Sequence, residues 1–194
     1  MQMIGITGGI GSGKSTIAKE LARRGYVIYD CDREAKRIIA EDKDEQAAII
    51  DLLGKDAFDH GVYNTAYVAQ QVFNNPNLLC ALNTIVHPAV QQDILRKQPD
   101  YIESAILFES GLDTLCDKII IVDAPEDIRI ARTIARDYNG AATTENINKV
   151  RARIRAQKSP AGISAPQGKI FTILNDGSLE LRHVVDLVCD IASR

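Results

Sequence analysis

Ile4-Gly5-Ile6-Thr7-Gly8-Gly9-Ile10-Gly11-Ser12-Gly13-Lys14-Ser15-Thr16-Ile17 is the stretch on which the fold turns. An apolar run at residues 3–7 reads as a short strand, and it meets a glycine-rich turn. The turn opens a segment, residues 14–24, in which Ile17 and Leu21 recur one helical turn apart before Gly25, a natural residue just past a helix end. Gly8 to Ser15 satisfies G-x-x-x-x-G-K-[ST] in full between that strand and that helix. Background residue frequencies give the letters alone to a random chain of this length with a probability on the order of 1 in 100, and the placement lowers it further. The competing reading, a glycine-rich turn with no ligand, is disfavoured by the completed motif in this context.

The residue types explain themselves physically. Glycines let successive backbone N–H groups turn inward around phosphate oxygens, and the first turn of the helix adds unpaired donors and a positive dipole end. Lys14 reaches the β- and γ-phosphates of a nucleoside triphosphate such as ATP, and the Ser15 hydroxyl is a ligand for Mg²⁺. The candidate nucleotide contacts are therefore Gly8, Gly9, Ile10, Gly11, Ser12, Gly13, Lys14, Ser15 and Thr16, the last of them a residue of the following helix.

Outward from the loop, further short apolar runs at residues 26–29, 104–108, 119–123 and 170–174 lack the polar alternation of a strand with one wet face. Most are separated by enough chain for a crossover helix, so the pattern predicts an α/β fold with a parallel sheet covered on both faces. The gap at about 31–100 is far longer than one crossover and reads as a mostly helical insertion, with turn signals at Asn74-Asn75-Pro76 and His87-Pro88. Ala124-Pro125-Glu126-Asp127 opens a helix that Asn139-Gly140 ends, a second helix is expected over 144–158, and residues 159–168 have loop composition.

A chain of 194 residues is long enough for one domain with insertions. Its 23 Lys and Arg against 26 Asp and Glu leave no basic excess, which argues against a nucleic-acid partner. The four cysteines form no C-x-x-C pair, so neither a zinc site nor a redox motif is suggested, and free thiols in a reducing cytoplasm are expected. No basic leader and no membrane-length apolar stretch stands in the sequence, so no membrane partner is expected.

Two acidic signals follow strands. Asp30-Cys31-Asp32 places carboxylates two apart, on the same side if the chain stays extended. One could hold the metal while the other accepts a proton from a substrate hydroxyl; we assign Asp30 to the metal and Asp32 to the proton. Alternatively Asp32 caps a helix starting at Arg33. Ala105-Ile106-Leu107-Phe108-Glu109 closes an apolar run with a carboxylate, which makes Glu109 a candidate metal-side or substrate contact. Arg129, Arg132 and Arg136 fall at i, i+3 and i+7 and line one helix face, the arrangement of a basic lid over a triphosphate. A solvated face paired with acids is the plain alternative.

Taken together, the loop, Asp30-Cys31-Asp32, Phe73, His87-Pro88, Leu107-Phe108-Glu109, Arg132 with Arg136, Gln157 and Asn175 occur in an order that resembles the dephospho-CoA kinases. The resemblance implies a five-stranded parallel core, with a helical CoA-binding insertion over about 31–100 and a lid over about 137–168, in a single kinase domain. It also implies ATP-dependent phosphorylation of the ribose 3′-hydroxyl of dephospho-CoA, the last step of coenzyme A synthesis, by a monomer or small homo-oligomer. By position it puts His87 in the substrate region, Arg132 and Arg136 in the lid, and Asn175 near the adenine. Two departures stand out: Thr65 where the family usually has arginine, and Gly168-Lys169 where it usually has Ala-Asp. A GTPase is disfavoured because Asn148-Lys149-Val150-Arg151 lacks the aspartate of a guanine-reading motif and Asp51-Leu52-Leu53-Gly54 lies in a helical segment. A binding module without transfer would not need paired aspartates and a basic lid. A nucleoside monophosphate kinase is the alternative within the kinases.

Overall fold

The computed structural model describes residues 2–73, 75–157 and 168–193. Five strands, β1 (Ile4–Gly8), β2 (Ile28–Asp30), β5 (Tyr101–Glu103), β6 (Lys118–Asp123) and β7 (Ile170–Leu174), form one sheet in the order β2-β5-β1-β6-β7. The pairings of β1 with β5 and β6, and of β6 with β7, are parallel, with Ile4 opposite Tyr101 and Lys118, and Ile120 opposite Phe171. β1 is central and every residue of it is buried, which is why it reads as an uninterrupted apolar run.

The helices of this part are α1 (Lys14–Arg23), α6 (Glu126–Asp137), α7 (Thr144–Ala156) and α8 (Leu181–Ser193). α1 ends as its sequence demands, with Arg24 as cap and Gly25 in the left-handed region. Ile17 and Leu21 of α1, Val184, Val185 and Val188 of α8, and Ile4, Ile6, Ile120, Val122 and Ile173 of the strands make the main core. A second apolar cluster joins Ile130 and Ile134 of α6 to Val150 and Ile154 of α7, with Ile10 of the glycine loop packed against it. The expected helix over 144–158 is present as Thr144–Ala156, opened by the Thr143 side chain accepting from the Asn146 N–H. The expected loop over 159–168 lies outside the described residues except for its last position.

The chain divides into two compact units, Met1–Tyr29 with Pro99–Arg194, and Asp30–Gln98. The second unit holds helices α2 (Cys31–Glu41), α3 (Lys43–Leu53), α4 (Thr65–Phe73) and α5 (Pro76–Lys97), with a two-stranded antiparallel hairpin of β3 (Phe58–Asp59) and β4 (Val62–Tyr63). Its core is Ile39, Ile49, Leu53, Ala57, Val68 and Leu82. Beside that core, Glu34 of α2 and Asp93 of α5 are buried carboxylates. Lys97 Nζ lies 2.6 Å from Glu34 and 2.9 Å from Asp93, Arg37 bonds both, and Arg96 pairs with Asp93. The two carboxylates are thereby neutralised and hydrogen-bonded, the condition under which burial of charge is tolerable.

Two expectations are corrected here. The third strand of the sequence is Tyr101–Glu103, and residues 104–108 form a turn instead. Their apolarity has another cause, since Leu107 is fully buried and packs where Gly5 leaves no side chain. His87-Pro88 does not end a helix: α5 runs through it, with Pro88 in the interior.

Candidate active site

The glycine loop joins β1 to α1 with Gly11 and Gly13 at φ 77° and 98°. A Cβ at Gly11 would strike the Arg129 backbone carbonyl and one at Gly13 the Asn175 amide, so glycine is required there for closeness as well as for φ. Among the described residues, the N–H groups of Gly11, Gly13, Lys14 and Ser15 bond to no other group, whereas Ser12 N–H is spent on Gly9 O. They are the free donors that an anion at this helix start would take.

Around them is a cleft of about 370 Å³ lined by Gly11, Gly13, Lys14, Ser15, Thr16, Lys19, Arg132 and Arg136. Four cations face one cavity in a chain that is acidic overall. Arg132 Nη1 donates to Ser12 O at 3.2 Å and to Asn175 O at 2.9 Å, and Asn175 Nδ2 donates to the same Ser12 carbonyl at 2.9 Å. Arg136, one turn on, is held by Asp137, which also accepts from Arg153 of α7 at 2.8 Å. Those two guanidinium groups hold the Asp137 carboxyl at about 2, below its ordinary 3.8.

Ser15 Oγ donates to Glu103 Oε1 at 3.1 Å, and Lys14 Nζ stands 3.9 Å from the same oxygen. Glu103 is the last residue of β5 and is buried. A hydroxyl and a carboxylate side by side suit Mg²⁺, a hard cation that takes few protein oxygens and completes its shell with phosphate and water. Among the described residues no three His, Cys, Asp or Glu side chains form a denser metal cluster.

Glu109, the acid expected in this role, lies exposed in the turn that follows β5, six residues beyond the strand end. Glu103 escaped sequence reading because its strand has three residues, too few for a periodic signal, and a longer apolar run follows it. Asp30 and Asp32 belong to the second unit. Asp30 is the cap of α2, its Oδ1 accepting from the Arg33 N–H at 3.0 Å, and Asp32 is exposed in the first helical turn. The cap is thus Asp30 and not Asp32, and the helix starts at Cys31, so the extended geometry assumed for the pair does not hold. In α5 of the same unit His87 is half-buried, and desolvation lowers its pKa below the ordinary 6.5, so it is neutral at pH 7.

A parallel sheet with this strand order, a complete phosphate loop after its central strand and a basic helix facing that loop define an α/β kinase of the P-loop class. Dephospho-CoA kinase from Porphyromonas gingivalis is 38% identical over 181 residues, covering 90% of this chain and 86% of that protein. TT1252 from Thermus thermophilus superposes with a TM-score of 0.76 at 31% identity, covering 97% of this chain and 96% of that one. Dephospho-CoA kinase from Campylobacter jejuni shares the fold with a TM-score of 0.63 at 20% identity, covering 100% of this chain and 98% of that one. The family model described as dephospho-CoA kinase matches residues 2–179, and the chain belongs to that family.

Proposed function

We propose that this chain transfers the γ-phosphoryl group of ATP to the ribose 3′-hydroxyl of dephospho-CoA, giving coenzyme A and ADP. The carrying observation is the cleft in which Lys14, Lys19, Arg132 and Arg136 surround the free N–H donors of the loop. Transfer of a phosphoryl group asks mainly for positioning and for charge placed where the equatorial oxygens develop it. Lys14 and the loop amides hold the β- and γ-phosphates, and Arg136 contributes its guanidinium to the group in transit. Arg132 fixes the loop through Ser12 O while its remaining donors face the cleft. Asn175, turned onto the loop next to Gly13, sets the wall on the nucleotide side.

Mg²⁺ bound by Ser15, with Glu103 behind it, would neutralise phosphate charge. Asp32 accepts the proton of the attacking hydroxyl and Asp30 fixes the turn that presents it. His87 and the remaining helices of the Asp30–Gln98 unit serve the acceptor, residues 137–168, of which 158–167 lie outside the described residues, serve as the lid, and the enzyme works in the cytoplasm. Among the described residues no helix is long and apolar enough to cross a membrane.

The test is a coupled assay of ADP release with ATP, Mg²⁺ and a panel of dephospho-CoA, AMP, CMP and shikimate, with the product's phosphate position read by NMR. Saturable, 3′-specific turnover of dephospho-CoA is expected. Comparable kcat/KM on a nucleoside monophosphate would move the assignment to that class of kinase.

A further inference from the structure

Ile10 is gripped from three sides. Its side chain packs on the α6–α7 apolar cluster, its carbonyl accepts from Arg129 Nε at 2.9 Å, and its N–H donates to Gln157 Oε1 at 2.8 Å. Gln157 is the C-cap residue of α7 and stands 147 positions away along the chain. Its other amide atom, Nε2, donates to Ala105 O at 3.3 Å, in the turn just after Glu103. One side chain therefore spans the loop after β1, which carries the phosphate donors, and the turn after β5, which follows directly on Glu103, the carboxylate behind Ser15.

From this geometry we propose that Gln157 is the positioning residue that couples the α6–α7 hairpin to the phosphate loop and sets the loop's affinity for nucleotide. The restraint on Ile10 is directional. With Ile10 N–H and C=O both tied outward to α7 and α6, the peptides on either side cannot rotate, and the donors from Gly11 to Ser15 stay aimed at the cleft. Without Gln157 the Ile10 N–H loses its partner, and the loop can regain it only by rotating a peptide that the phosphate site needs fixed. A neutral hydrogen bond of this kind contributes up to about a tenfold change in equilibrium, so the expected effect is measurable without unfolding the protein. The role rests on the kinase reading only in assigning ATP as the nucleotide.

The test uses Gln157→Met, equal in length and unable to accept from Ile10, with Gln157→Asn as a second variant that keeps the amide but is one methylene too short to reach both loops. ADP affinity by calorimetry, steady-state kinetics and amide hydrogen exchange are measured on the full chain. Both variants are expected to bind ADP about tenfold more weakly and to raise KM for ATP by a similar factor, leaving KM for dephospho-CoA within about twofold. The Ile10 amide should lose protection while Ile6 and Ile120 in the core keep theirs. ADP affinity within twofold of the parent, or loss of protection shared by Ile6 and Ile120, would overturn the assignment. A parent protein that binds ADP but phosphorylates no acceptor would sink the kinase reading alone, because the ADP comparison needs no acceptor.

Discussion

Lys14 and Glu103 meet beside Ser15 where β1 leads into α1. Lys14 has one carboxylate at 3.9 Å, a distance that leaves its ammonium available to phosphate. Lys14→Ala should therefore abolish turnover with little change in melting temperature, since Ser15 Oγ still donates to the buried Glu103. Wild-type kcat in that variant would remove the loop from the chemistry. Glu103→Gln keeps an acceptor for Ser15 Oγ and removes only charge. Its kcat should fall by about 10²-fold while the fold survives, as expected when a group that acts in the transition state is lost. An unchanged kcat would make Glu103 a packing partner of the strand end. For the aspartates, Asp32→Asn should lower kcat by about 10²-fold or more with ATP affinity nearly intact, as loss of a general base does. Asp30→Asn, by contrast, should leave melting unchanged because asparagine caps a helix as well as aspartate. The glycine loop between β1 and α1 was legible because backbone geometry forces those letters. Glu103 beside Ser15 was not legible, because an acid at a strand end leaves no pattern beyond its neighbours.

At the level of elements, α6 was legible through its proline and acids at the start and Asn139-Gly140 at the end, both in the left-handed region. Its arginines were legible as a face, but their division of labour was not, because it depends on backbone carbonyls that sequence periodicity does not reveal. Arg132 bridges Ser12 O and Asn175 O, whereas Arg136 bonds only the neighbouring Asp137 among the described residues. Arg132→Lys should consequently raise KM for ATP and lower kcat together, since an ammonium lacks the fork that holds two carbonyls while facing the cleft. Arg136→Lys should lower kcat with KM for ATP near its parent value. If both variants matched the parent, α6 would be a solvated helix. In the other unit, α2 and α5 are joined by Glu34, whose carboxyl is held at about 2 against an ordinary 4.5, first by Lys97 and then by Arg37. A depressed carboxylate stabilises the fold fully above its unfolded value, and that contribution is lost as pH falls from about 4.5 toward 2. Glu34→Gln should thus melt lower at pH 7 and show a shallower decline below pH 5 than the parent. An identical acid limb in both proteins would assign the decline to other carboxylates, Asp137 first among them.

Across the whole molecule, the class of fold followed from a few runs of apolar residues because a parallel sheet buries both faces of its strands, and burial is what composition records. The helical segment between the second and third strands was legible only as a length. Its interior pairing of Glu34 and Asp93 with Arg37 and Lys97 joins residues about sixty positions apart, which no local pattern encodes. That pairing bears on the acceptor. Thr65 carries no charge, and the nearest cations in sequence after Asp32 are Arg33, Lys36 and Arg37. Arg37 is held by Glu34, Glu41 and Asp93, and Arg33 by Glu34. Lys36 is exposed and, among the described residues, pairs with no carboxylate. An ammonium without a partner can meet a diphosphate with no ion pair to break, whereas Arg37 would have to give up its ion pairs with two buried carboxylates. Lys36→Ala should then raise KM for dephospho-CoA about tenfold, with KM for ATP and melting temperature unchanged. Arg37→Ala should act the other way round, lowering the melting temperature first. Steady-state kinetics with each substrate varied and a thermal melt decide between them, and an unchanged KM for dephospho-CoA in the Lys36 variant would remove this lysine from acceptor binding.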